Sequence, residues 1–172
     1  MSESISIQRS GADCLVTDRL KWVSVGGTFD VMHKGHWFLL EETFNVGDKA
    51  VVGITTDDFA LSLKKEHEID SYENRLEDVK EFLREKGYLT RAKLVPLNDP
   101  YGPTIESDKL EGLIVSEETE STAEIINRKR VEQGRRPLLI FVITMVLAED
   151  GKPISSTRVR RQEVDRYGRL IG

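Results

Sequence analysis

From Trp22 onward, short apolar segments rich in β-branched residues alternate with longer segments of helical period. The strand-like segments are 22–25, 50–55, 92–97, 110–115 and 138–146. The helix-like ones are 36–46, 57–65, 71–86, 122–133 and 155–167. In 36–46 the residues Trp37, Leu40 and Phe44 fall on one face, and in 71–86 Tyr72, Leu76, Val79 and Leu83 do so. Asp70 or Ser71 caps the second of these helices, with Glu73 as the reciprocal partner. Gly47, Gly87 and Gly134 stand where helices stop. Buried strands alternating with helices predict an α/β fold: a doubly wound, five-stranded parallel sheet with helices on both faces. In such a sheet a ligand sits outside the carboxyl ends of the strands, where strand order reverses. The loops that follow strands are therefore the places to look for chemistry.

Length and composition narrow the class. The chain has 172 residues, enough for one domain with its own core. Residues 1–20 are polar and irregular and read as an N-terminal extension; 21–172 read as the domain. Lys and Arg total 25 against 30 Asp and Glu, a net charge of −5, which lacks the global positive charge of a general nucleic-acid binder. The single Cys14 excludes an internal disulfide framework or a Cys-rich zinc site. The longest apolar run, 138–148, is shorter than the ~18 residues a membrane span needs. The N-terminus carries no basic-then-apolar signal segment, so the expectation is a cytoplasmic protein without nucleic-acid or membrane partners.

Two loops concentrate the unusual residues. The first, Gly26-Gly27-Thr28-Phe29-Asp30-Val31-Met32-His33-Lys34-Gly35-His36, joins the first domain strand to a helix. Glycines there let backbone N–H groups approach an anion, and the helix start adds a favourable dipole. Two of the three histidines stand here, three residues apart, and suit phosphates whose charge grows in a transition state. Two histidines without a third ligand make a poor zinc site. The loop has neither the GxxxxGK[ST] nor the GxGxxG pattern. The second loop, Gly151-Lys152-Pro153-Ile154-Ser155-Ser156-Thr157-Arg158-Val159-Arg160, also runs from strand to helix. Its hydroxyls fit both capping and phosphate binding, and Arg160 lies one turn beyond Thr157.

Taken together, GGTFDVMHKGH and ISSTRVR resemble the two signatures of the nucleotidyltransferase superfamily. The chain most resembles its archaeal phosphopantetheine adenylyltransferases over residues 21–167, with supporting strings GITTDDFA, VSEET and VLAEDGKPISSTRVR. The resemblance implies a Rossmann-like sheet of the nucleotidyltransferase type. It also implies transfer of AMP from ATP to 4′-phosphopantetheine, with Mg²⁺ accompanying ATP and no metal held by the protein alone. The acceptor phosphate attacks the α-phosphorus directly, so catalysis is positioning and charge stabilisation. It assigns His36 to the α-phosphate, His33 to the nucleotide phosphates and Thr28 to the acceptor phosphate. Gly27 and Phe29 line the nucleotide pocket, and Ser155, Ser156, Thr157 and Arg160 grip the β- and γ-phosphates. Ser116, Glu117 and Thr119 fall at the adenosine site. A lysine that neutralises both substrates corresponds to Lys64 or Lys65. Bacterial enzymes of this activity replace the first histidine with threonine, so acceptor contacts do not transfer from them.

Alternatives stay open at this level. A glycerol-phosphate-type cytidylyltransferase, an FAD synthetase, a nicotinamide mononucleotide adenylyltransferase or a non-catalytic nucleotide binder uses the same fold. Asp150-Gly151-Lys152-Pro153 stands where cytidylyltransferases carry an Arg-Thr pair, and Val31 stands where nicotinamide enzymes favour proline. Asp57 and Asp58 fit helix capping better than a metal pair. Arg128, Lys129, Arg130, Arg135 and Arg136 read as a solvated face interspersed with glutamates, not a nucleic-acid patch. The oligomeric state is left as a monomer or a small homo-oligomer, and Cys14 has no assigned role.

Overall fold

The computed structural model describes residues 4–7, 18–63 and 68–172. Strand β1 spans Ser4–Ile7, β2 Leu20–Gly27, β3 Gly47–Thr55, β4 Ala92–Leu97, β5 Gly112–Ser116 and β6 Leu139–Ile143. Helix α1 spans Lys34–Val46, α2 Asp57–Ser62, α3 Tyr72–Glu85, α4 Glu120–Glu132 and α5 Ser156–Arg160. All strand pairs are parallel, in the order β1-β6-β5-β2-β3-β4. The five strands from β2 on form the expected doubly wound sheet. β2 lies where the order reverses, so the crevice that such sheets use for ligands opens at its carboxyl end.

Period-two geometry splits the strand residues between two cores. Val23, Val25, Val52, Ile54 and Ile114 face one side, where α1 contributes Leu40 and Phe44 and α3 contributes Val79 and Leu83. Leu113, Val115, Ile140 and Val142 face the other, against Ala123 and Ile126 of α4. Leu40 and Phe44 are fully buried, each contributing about 2–3 kcal/mol of apolar transfer energy. Ser71 caps α3 by accepting from the Asn74 N–H, so Asn74, not Glu73, holds the position of the reciprocal partner. Asp57 and Asp58 occupy the first turn of α2, whose cap is Thr56. The Asp57 carboxylate instead accepts from the Tyr72 N–H and so caps the following helix.

Three expectations change. The N-terminal extension contributes β1, which pairs with β6 from Ser4↔Ile140 to Ile7↔Ile143 and makes the sheet six-stranded. The final helix does not reach 167. It ends at Arg160, because Gln162 adopts φ +56° and the chain turns back through a Val164↔Leu170 bridge. The basic face of α4 is not wholly solvated, since Arg130 is buried. Its guanidinium donates to the carbonyls of Arg136 at 2.8 Å, Ser107 at 2.9 Å and Thr104 at 2.6 Å. Three helix boundaries shift by a few residues. α1 starts at Lys34, α4 at Glu120, and α2 stops at Ser62.

Candidate active site

A cavity of about 400 Å³ opens at the carboxyl ends of the central strands. Both signature loops line it. Gly27, Thr28, Phe29, His33 and His36 come from the β2–α1 loop, and Ser155 and Ser156 from the start of α5. Ser116 and Thr119 line it from the β5–α4 turn, together with Glu118. Glu117, Thr157 and Arg160 are not on its wall. Lys64 and Lys65, like Cys14, lie outside the described residues.

The β2–α1 loop is tightly specified. Phe29 and Val31 adopt φ +53° and +45°, conformations costly for residues with a Cβ and worst for a β-branched one. His33 is the N-cap of α1, and its Nδ1 accepts from the Gly35 N–H at 3.1 Å. A Cβ on Gly35 would meet the His33 ring at 2.9 Å, which explains the glycine between the two histidines. His33 is 5% exposed, and burial pushes its pKa down to about 4. The ring is therefore neutral at pH 7. With Nδ1 accepting, its proton is on Nε2, which makes it a hydrogen-bond donor. His36 stacks on it with centroids 3.9 Å apart and planes at 28°, and Phe29 tilts against His36 at 5.5 Å.

Asp30, 2% exposed, ties the two loops together. Its carboxylate accepts from Arg160 Nε at 2.9 Å and Nη2 at 2.8 Å, and from the Asp70 N–H at 3.0 Å. Its carbonyl accepts from the Ser156 hydroxyl. Arg160 Nη2 also meets the Asp70 carboxylate at 3.2 Å, and the hydrogen bond to Asp30 raises the Arg160 pKa. The expected phosphate-gripping arginine is thus engaged in a two-pronged ion pair that clasps α5 to the β2–α1 loop. Ser155 caps α5, its hydroxyl oxygen accepting from the Arg158 N–H at 3.2 Å. Two imidazoles, a hydroxyl at a helix start and a glycine-rich turn converge on one cavity. That set can stabilise a polyanion but offers no activated nucleophile.

Comparison with known proteins agrees with this geometry. The cytidylyltransferase-like family model matches residues 24–162. The phosphopantetheine adenylyltransferase of Methanothermobacter thermautotrophicus is 45% identical over 149 residues, which is 87% of this chain and 88% of that protein. The enzyme of the same name from Methanopyrus kandleri is 45% identical over 147 residues, 86% of this chain and 92% of that one. The chain belongs to the cytidylyltransferase-like family, in its phosphopantetheine adenylyltransferase branch. A structure of a protein of unknown function from Archaeoglobus fulgidus superposes with a TM-score of 0.64 at 28% identity, covering 87% of this chain and 98% of that chain.

Within this family frame, three arginines that the sequence reading left without a site role prove to organise the cavity's surroundings. Arg75 is fully buried beneath the β2–α1 loop. Arg130 braces the turn around Thr104, a residue on the cavity wall. Arg158 pairs with Asp150 at 2.6 Å and Glu163 at 3.0 Å, and donates to the Pro153 carbonyl, fixing the loop that leads into α5. The sequence did hold a signal for Arg75. It lies three residues after Tyr72 and four before Val79, on the apolar stripe of α3 rather than on its wet face.

Proposed function

We propose that this chain is an adenylyltransferase that joins ATP and 4′-phosphopantetheine to give dephospho-CoA and pyrophosphate. The observation that carries this reading is one cavity lined by both signature loops, with His33 and His36 stacked at its wall. An oxygen of the acceptor phosphate forms the new bond to the α-phosphorus of ATP. The bond from that phosphorus to the β-bridging oxygen breaks, and pyrophosphate leaves with the electron pair. The acceptor phosphate is already ionised at neutral pH, so no side chain need remove a proton. His36 faces the α-phosphate and stabilises the charge of the five-coordinate transition state. His33 donates from Nε2 to the nucleotide phosphates. Thr28 orients the acceptor phosphate, and the Ser155 hydroxyl donates to the leaving pyrophosphate, with Thr157 close behind it.

Mg²⁺ belongs to the substrate, as MgATP. Among the described residues no three His, Cys, Asp or Glu side chains are grouped as a metal site. Mg²⁺ that bridges phosphates needs few protein ligands and keeps much of its water. No helix among the described residues is long and apolar enough to cross a membrane. A cytoplasmic enzyme, acting as a monomer or small homo-oligomer without nucleic acid, fits this reading. Pyrophosphate release tests it, with ATP or CTP offered against 4′-phosphopantetheine, glycerol 3-phosphate, FMN or nicotinamide mononucleotide. Turnover with ATP and 4′-phosphopantetheine is expected. Turnover only with another pair replaces the reading.

A further inference from the structure

The structure assigns to Arg75 the role of a positioning residue for adenylyl transfer: its buried guanidinium fixes the Thr28–Phe29 peptide against the end of β3. Arg75 has no exposed surface, yet its only carboxylate partner among the described residues, Asp57, is half exposed at 3.1 Å. Its other contacts are oxygens of the fold. Nη1 donates to the Thr28 carbonyl at 2.9 Å, the Thr55 carbonyl at 2.8 Å and the Thr55 hydroxyl at 3.1 Å. Nε donates to the Asp70 carbonyl at 2.8 Å. A cation held mainly by carbonyls is an uneconomical way to stabilise a core, because burying it forfeits much of its hydration. Its placement explains it better.

Thr28 follows β2 and Thr55 ends β3, and these strands are paired up to Gly27↔Ile54. Beyond that pair the ladder stops and the cavity begins, with Thr28, Phe29 and Thr55 all on its wall. Nη1 bridges the two chain ends through the carbonyls of Thr28 and Thr55. The peptide it holds leads directly into Phe29 at φ +53°, a conformation that persists only when its surroundings over-determine it. On the far side of Phe29, Asp30 is fixed by Arg160 and the Asp70 N–H. Asp70 joins the two supports, because its carbonyl accepts from Arg75 while its carboxylate meets Arg160. The loop that carries the phosphate-facing groups is thus held from both ends, and Arg75 touches none of the reacting atoms. A planar fork can serve Thr28, Thr55, Asp70 and Asp57 together, whereas a lysine ammonium cannot.

This inference rests on the adenylyltransferase reading, and the wild-type protein in the same assay separates the two. The test is steady-state pyrophosphate release from MgATP and 4′-phosphopantetheine by wild type and Arg75→Lys, with folding of the variant checked by near-ultraviolet circular dichroism. Arg75→Lys is expected to lose at least about tenfold in kcat, since sub-ångström misplacement is costly, while KM for ATP changes less than about threefold. A folded variant with wild-type kcat, or one whose loss lies wholly in KM for ATP, overturns the assignment. If Arg75→Lys does not fold, Thr55→Val decides: it removes one acceptor of Nη1 at nearly constant volume. A severalfold loss in kcat at unchanged KM for ATP supports the assignment, and wild-type kcat overturns it. Absence of wild-type turnover would instead count against the activity itself.

Discussion

Replacing His33 with asparagine should flatten the acid limb of the stability curve. Asn is a strong N-cap and can accept the Gly35 N–H that His33 Nδ1 now accepts, so the start of α1 keeps its cap while the titrating group is lost. The His33 pKa falls from 6.5 to about 4 on folding, because burial disfavours the imidazolium. The unfolded chain therefore binds a proton between these values that the folded chain refuses. Stability from this group is full above pH 6.5 and is lost as the pH falls toward 4. At ~1.36 kcal/mol per pKa unit, the loss between pH 7 and pH 4.5 is about 2.5 kcal/mol. Urea unfolding of wild type and His33→Asn at both pH values, without nucleotide, measures it. The stability of wild type relative to the variant should fall by about 2.5 kcal/mol on going to pH 4.5. Parallel pH dependences in the two proteins would refute the claim that His33 is buried neutral.

Three further outcomes follow from the same geometry. Asp30→Asn leaves Arg160 facing a neutral partner. Because Arg160 is partly exposed, the cost should be about 2–3 kcal/mol, at the lower end for a broken buried pair, and thermal unfolding should show a fall in Tm of roughly 4–12 °C. A double-mutant cycle with Arg160→Gln should recover most of that cost as coupling, whereas simple additivity would contradict the clasp. Val31→Gly removes a β-branched residue from φ +45° and should raise stability by about 1 kcal/mol in equilibrium unfolding; a loss of stability would mean that the Val31 side chain matters more than its backbone strain. His36→Ala should lower kcat by about 10²–10³ while ATP affinity, measured by titration calorimetry, changes far less; equal losses in both would make His36 a ground-state ligand only.

The sheet was legible because its central strands are buried on both faces. Segments such as 50–54 and 112–115 are continuous apolar runs, and no surface element has reason to look like that. β1 was not, because Ser4–Ile7 alternates polar and apolar residues inside a polar arm, a four-residue signal too short to stand out. The two signature loops stood out because glycine, histidine and hydroxyl residues cluster there at a strand-to-helix junction. Their internal wiring was not readable. The ion pair of Arg160 could not be read because its partner, Asp30, lies 130 residues earlier in the chain, and nothing local reports such a pairing. Arg130 was counted with the surface charge, since an arginine is buried so seldom that composition favours the wet face. The end of α5 escaped for a different reason. Arg158 to Tyr167 keep ordinary helix formers, and the αL turn at Gln162 is set by the packing of Val164 and Ile154 rather than by a breaker residue.

The central claim is one in-line displacement at the α-phosphorus of ATP by the phosphate of 4′-phosphopantetheine. The most direct measurement is the configuration of the product formed from a single diastereomer of ATP bearing sulfur on the α-phosphorus. A single displacement in this cavity yields the thio-analogue of dephospho-CoA with inverted configuration at phosphorus. Retention would reveal an adenylylated protein intermediate and contradict the account, as would failure of 4′-phosphopantetheine to accept the group while another acceptor does.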